Sequence, residues 1–101
     1  MSDPSYCITT QQKRLMVVSG RSNPALSEKI AEKLGIALGG VLLKTFANGE
    51  IYCRYNESIR GTDVFVVQSP SVTLNDDVME LLLMIQAAKL ASAHRVTAVV
   101  P

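Results

Sequence analysis

The stretch that most constrains this chain is residues 78–93. Val78, Met79, Leu81, Leu82, Leu83, Met84, Ile85, Ala87, Ala88, Leu90 and Ala91 leave almost no wet face at helical spacing. A helix of that kind is normally buried on more than one side. One side can cover a sheet. The other calls for a second layer, from a partner subunit or from further chain. Asn75-Asp76-Asp77 opens this helix, with carboxylates placed to offset the helix dipole. Asp63–Gln68 (DVFVVQ) precedes it as a strand, β-branched, aromatic and apolar, broken by Ser69-Pro70-Ser71. Arg95–Pro101 follows and reads as a buried strand. Its end falls where an open α/β sheet places its ligands, at the carboxyl ends of the strands.

The earlier half follows the same alternation. Leu15–Ser19 is a short apolar run closed by Gly20, the pattern of a buried strand. Asn23 is a good helix N-cap, and Pro24 is tolerated at the first helical position because its missing N–H had no partner there. Leu26, Ile30 and Leu34 form one stripe, and Gly35 ends the helix. Val41–Phe46 and Ile51–Tyr55 flank Asn48-Gly49, a strong hairpin signal. Residues 56–62 form a polar connection. The order β-α-β-β-β-α-β predicts an α/β fold, a mainly parallel sheet flanked by helices with an inserted antiparallel hairpin. Residues 1–13 carry no period and are expected to be a flexible leader, with one domain over 14–101.

Composition excludes several classes. A length of 101 residues suffices for one core. Aromatic content of 5% without Trp makes that core aliphatic. A net charge of +1 is not the footprint of a nucleic-acid binder. No run reaches the ~18 apolar residues of a membrane span. The start has neither the basic nor the apolar region of a signal peptide. A cytoplasmic protein is expected, with Cys7 and Cys53 as reduced thiols rather than a zinc site.

No dinucleotide, P-loop or nucleophile-elbow motif is present. His94 reads as an exposed residue after the second helix rather than a catalyst. Asp76-Asp77 reads as a helix-dipole and capping pair rather than a ribose or metal site.

Several segments together are more specific. Phe46-Ala47-Asn48-Gly49-Glu50, Asn56 through Ser69, Asn75 through Leu82 and Ala91 through Pro101, in that order, closely resemble the ribose-phosphate pyrophosphokinase family. The likeness covers about residues 14–101 and only the first third of a family member.

The resemblance implies a phosphoribosyltransferase-like domain, here truncated. It implies an enzyme that moves a diphosphoryl group from Mg-ATP to the 1-hydroxyl of ribose 5-phosphate, chiefly by positioning and charge neutralisation. No catalytic residue and no metal ligand is expected within these residues; Mg2+ belongs to the part beyond them. The resemblance places Phe46, Asn48 and Glu50 in a neighbouring subunit's ATP site, with Phe46 stacked on adenine and the other two on its edge. From spacing alone the same stretch is a plain hairpin tip with Phe46 in the core. Ser58, Arg60 and Ser92 match positions that bind a regulatory phosphate in controlled members; Arg60 could equally pair with Glu57. The family forms homo-oligomers, dimers building a hexamer. The chain alone is expected to be inactive. The alternative function is a non-catalytic module that docks on the full-length enzyme. Gln86 departs from the Asp or Asn of many members and is expected to serve packing or a subunit contact.

Overall fold

The computed structural model describes residues 14–101, so the proposed leader and Cys7 lie outside the described residues. Seven elements follow in order: β1 Arg14–Ser19, α1 Pro24–Leu34, β2 Val41–Thr45, β3 Ile51–Tyr55, β4 Thr62–Val67, α2 Leu74–Leu90 and β5 Arg95–Val99. The α/β expectation holds. The strands β1, β4 and β5 form one parallel sheet in the order β1-β4-β5. The hairpin β2–β3 is a separate antiparallel sheet, with Val41 opposite Tyr55 and Thr45 opposite Ile51.

Side chains alternate along each strand, so the parallel sheet has two distinct faces. Met16, Val18, Val64 and Val66 point to one face and are closed over by Met84 and Ala88 of α2 and by Ile59. Val41, Leu43, Cys53 and Tyr55 of the hairpin pack against the same cluster. The Tyr55 hydroxyl donates to the Met84 carbonyl at 2.8 Å, fastening the open end of the hairpin to α2. Leu15, Val17, Phe65, Val67 and Val99 point to the other face and share a groove of about 240 Å³ with Ile30 and Leu34 of α1.

Local signals set the ends. Asn23 caps α1 by accepting from the Leu26 N–H at 3.3 Å, and Gly35 closes it in the left-handed region at φ 73°. Gly49 makes the hairpin turn at φ 90°, its N–H donating to the Phe46 carbonyl at 2.9 Å.

Three expectations change. The Arg95–Pro101 strand forms as β5, but it is not buried. Among the described residues it pairs with β4 alone, and it is exposed along most of its length, because an edge strand has cover on one side only. The second helix stops at Leu90, and Ser92 turns the chain at φ 67° into β5. Val78, Met79, Leu82 and Leu90 of that helix stand exposed, on the side for which a second layer from outside these residues is expected. In α1 the fully buried residues are Ser27 and Ala31, and Leu34 of the apolar stripe is exposed.

Candidate functional site

The carboxyl ends of β1 and β4 open into a cleft of about 480 Å³. Arg21 and Ser22 reach it from the loop after β1. Ser71, Thr73, Asp76, Asp77 and Glu80 reach it from the start of α2, and Thr45, Gly49 and Ile51 from the hairpin. This is where an open α/β sheet gathers its polar groups.

A hydrogen-bonded network forms the floor. Glu80 is 4% exposed, and a carboxylate at that depth requires partners. Arg21 supplies them twice, from its backbone N–H to Oε2 and from Nε to Oε1, both at 2.7 Å. Nη2 of the same guanidinium lies 2.6 Å from Glu80 Oε1 and also donates to Thr45 Oγ1 at 2.8 Å. Gln68, also buried, donates from Nε2 to Glu80 Oε2 at 3.0 Å and to the Asp77 carbonyl at 3.2 Å. Its Oε1 accepts from the Ser22 hydroxyl at 2.8 Å. Asp77 accepts from the Ser71 hydroxyl at 2.6 Å and the Ser71 N–H at 2.8 Å. The Ser71 hydroxyl bond is the main reason its pKa lies below the usual carboxylate value, with burial pulling the other way. Asp77 therefore organises the turn before α2, a more specific task than the general dipole role expected for the pair.

Sequence reasoning missed this network. One signal for it was present: Glu80 interrupts a helix with almost no wet face, and a carboxylate there needs a cation.

Phe46, Asn48 and Glu50 come together at the hairpin tip, and none of the three lines the cleft. The Phe46 ring is 48% exposed, not in the core, and leans on Tyr52 with centroids 6.3 Å apart and planes at 53°. The Phe46 N–H donates to the Glu50 carbonyl at 2.7 Å, and Asn48 Oδ1 accepts from the Glu50 N–H at 3.0 Å.

Ser58, Arg60 and Ser92 lie at the opposite end of the sheet, near the amino ends of β4 and β5. All three are exposed. The Gly61 N–H donates to the Ser92 carbonyl at 3.0 Å, which brings their two loops together, and buried Ile59 anchors the loop between Ser58 and Arg60. The Arg60–Glu57 pairing does not form; Glu57 pairs with Arg14 at 3.1 Å. His94 is exposed after the second helix, as expected, and its Nδ1 lies 2.8 Å from Asp63 Oδ1. Cys53 is half-buried, and burial pushes its thiol up to about 11. Burial also raises the Tyr55 phenol.

Residues 15–101 match the family profile described as the N-terminal domain of ribose phosphate pyrophosphokinase. The chain belongs to that family. Ribose-phosphate pyrophosphokinase 2, chloroplastic, of Arabidopsis thaliana is 48% identical over 94 residues, which is 93% of this chain and 24% of that protein. The ribose-phosphate pyrophosphokinase of Streptomyces avermitilis is 48% identical over 93 residues, 92% of this chain and 29% of that one. The crystal structure of phosphoribosylpyrophosphate synthetase from Mycobacterium smegmatis superposes with a TM-score of 0.86 at 46% identity, covering 88% of this chain and 30% of that one. The chain thus spans less than a third of the length of these pyrophosphokinase relatives.

Among the described residues, no group of three or more His, Cys, Asp or Glu could hold a metal ion. Glu80 is held by Arg21 and Gln68, and Asp77 by Ser71 and Thr73. Among the described residues, no helix is long and apolar enough to cross a membrane.

Proposed function

We propose that this chain is the amino-terminal portion of a cytoplasmic ribose-phosphate pyrophosphokinase that converts Mg-ATP and ribose 5-phosphate to phosphoribosyl pyrophosphate and AMP. In that reaction the ribose O1 attacks the β-phosphorus of ATP and AMP departs. Magnesium, when bound, neutralises phosphate charge, and the described residues give it no cage. The part we assign to this chain is recognition. Phe46, Asn48 and Glu50 contact the adenine of a nucleotide held by a neighbouring copy in a homo-oligomer, in which dimers build a hexamer.

The exposure of Phe46 at the hairpin tip carries this reading. An aromatic face left half-open at a turn is a stacking surface for a flat base. The polar neighbours suit adenine. Asn48 Oδ1 is already engaged by the Glu50 N–H, so its amide group has two N–H donors to offer. An ionised Glu50 carboxylate only accepts. Adenine presents an acceptor beside an amino donor, N7 beside N6, whereas guanine presents two acceptors there. A carboxylate facing that edge favours adenine. At the far end of the sheet, Ser58, Arg60 and Ser92 are assigned to a regulatory phosphate. Arg60 has no ion pair among the described residues, and a guanidinium with two hydroxyls suits that anion.

The test is a chimera in which residues 14–101 replace the matching segment of the Streptomyces avermitilis enzyme. Stacking is worth roughly 1–3 kcal/mol per base, so Phe46→Ala is expected to raise the KM for ATP by about 5- to 160-fold. The KM for ribose 5-phosphate should hold. An unchanged KM for ATP would sink the adenine assignment, and turnover by the 101-residue chain alone would sink the division of labour. The exposed apolar stripe Val78, Met79 and Leu82 on α2 favours a second reading, a non-catalytic module docked on the complete enzyme. Co-elution with that enzyme without any gain in turnover is the result that reading requires.

A further inference from the structure

We infer that Arg21 is a positioning residue, clamping the tip end of the hairpin to α2 and so fixing where Phe46, Asn48 and Glu50 point. What the tip does there rests on the adenine reading proposed above. The clamp itself rests on geometry. Arg21 joins three elements that are distant in sequence: the loop after β1, the buried Glu80 of α2, and Thr45, the last residue of β2 and the neighbour of Phe46. Glu80 cannot follow the hairpin if it moves. It is 4% exposed and held from a second side by Gln68 at the end of β4. The guanidinium, fixed on that carboxylate, therefore holds Thr45 Oγ1 at a set place.

Besides Arg21, the hairpin is held at its open end by the Tyr55 bond to the Met84 carbonyl and midway by Leu43 and Cys53 packed on the core cluster. From Leu43 to Phe46, three residues at about 3.3 Å each leave a lever of about 10 Å to the tip. Without the Arg21 contact, a tilt of about 10° carries the tip about 2 Å, enough to take an aromatic face off a base stacked on it. A planar fork can hold a carboxylate and a hydroxyl in one geometry. A lysine ammonium keeps the ion pair but not the fork.

Two substitutions in the 101-residue chain separate clamping from simple stability: Arg21→Lys and Thr45→Val. Both leave Glu80 with a cation, so thermal melting should stay within a few degrees of the parent. Backbone order parameters over residues 46–50 should fall from the rigid value of about 0.85 towards about 0.6, while β1 and β4 stay rigid. Unchanged tip order parameters in both variants would overturn the clamp, as would equal loosening of the whole sheet. In the chimera, losing one hydrogen bond should raise the KM for ATP about fivefold and leave that for ribose 5-phosphate alone. If Phe46→Ala leaves the KM for ATP unchanged, the adenine reading fails while the order parameters still judge the clamp. If Phe46→Ala raises it and Thr45→Val does not, the clamp fails alone.

Discussion

Gly20→Ala is the sharpest probe of the cleft floor. Gly20 is not among the residues at positive φ, so alanine meets no backbone strain there. Elsewhere in a fold such a change stabilises by about 0.4–1 kcal/mol through the unfolded chain. Here a Cβ would lie 2.0 Å from Gln68 Oε1 and 2.3 Å from its Cδ, closer than any real contact. Gln68 must leave, and its bonds to Ser22, the Asp77 carbonyl and Glu80 leave with it. Four bonds at about 0.5–1.5 kcal/mol each make about 2–6 kcal/mol. Subtracting the chain-entropy gain leaves a net loss of about 3 kcal/mol. Urea unfolding of the parent, Gly20→Ala, Gln68→Ala and the double variant measures it. With Gln68 already shortened the new methyl has room, so the second change should cost nothing or stabilise slightly. Equal cost in both backgrounds would refute the reasoning, and so would a Gly20→Ala protein as stable as the parent.

Tyr55→Phe removes the bond to the Met84 carbonyl and should cost about 1 kcal/mol in urea unfolding. Cys53, measured in a Cys7→Ser background, should react with iodoacetamide at pH 8 about a hundredfold more slowly in the folded chain than in urea, since a thiol raised from 9.0 to about 11 holds that much less thiolate. The same shift has a sign. A folded pKa above the unfolded one contributes stability that is complete below about pH 9 and lost as pH climbs towards 11, so the urea midpoint should fall across that window, and fall less in Cys53→Ala. Asp77 runs the other way. Its depressed pKa contributes stability that is complete above the ordinary carboxylate value of about 4 and is lost as pH falls through the lowered one, so Ser71→Ala should lower the urea midpoint at pH 6 and progressively less as the pH is taken below 4.

Pattern and caps made the elements legible. Asn23-Pro24 and Gly35 bracket α1, Asn48-Gly49 makes the hairpin, and the apolar run before Gln68 becomes the central strand. These signals act over a few residues, so they survive without tertiary context. Exposure was legible only in part. The run after Arg95 has the composition of an inner strand, yet β5 sits at an edge, because composition records what a strand is suited to and neighbours decide what covers it. The proposed adenine contacts of Phe46, Asn48 and Glu50 come from likeness rather than from spacing. The Arg21–Glu80–Gln68 network joins positions up to 59 residues apart, and no local pattern reports such a pairing. Only the misfit of Glu80 in its helix pointed towards it.

β5 has one more consequence. Its outer rim carries backbone N–H and C=O groups with no ladder partner among the described residues, and its flank continues the apolar face at Val99. Unsaturated strands of this sort recruit one another. Crowding molecules of this chain together should therefore turn a solution cloudy long before heat does, and a dilute sample with added arginine is the setting in which its behaviour can be followed.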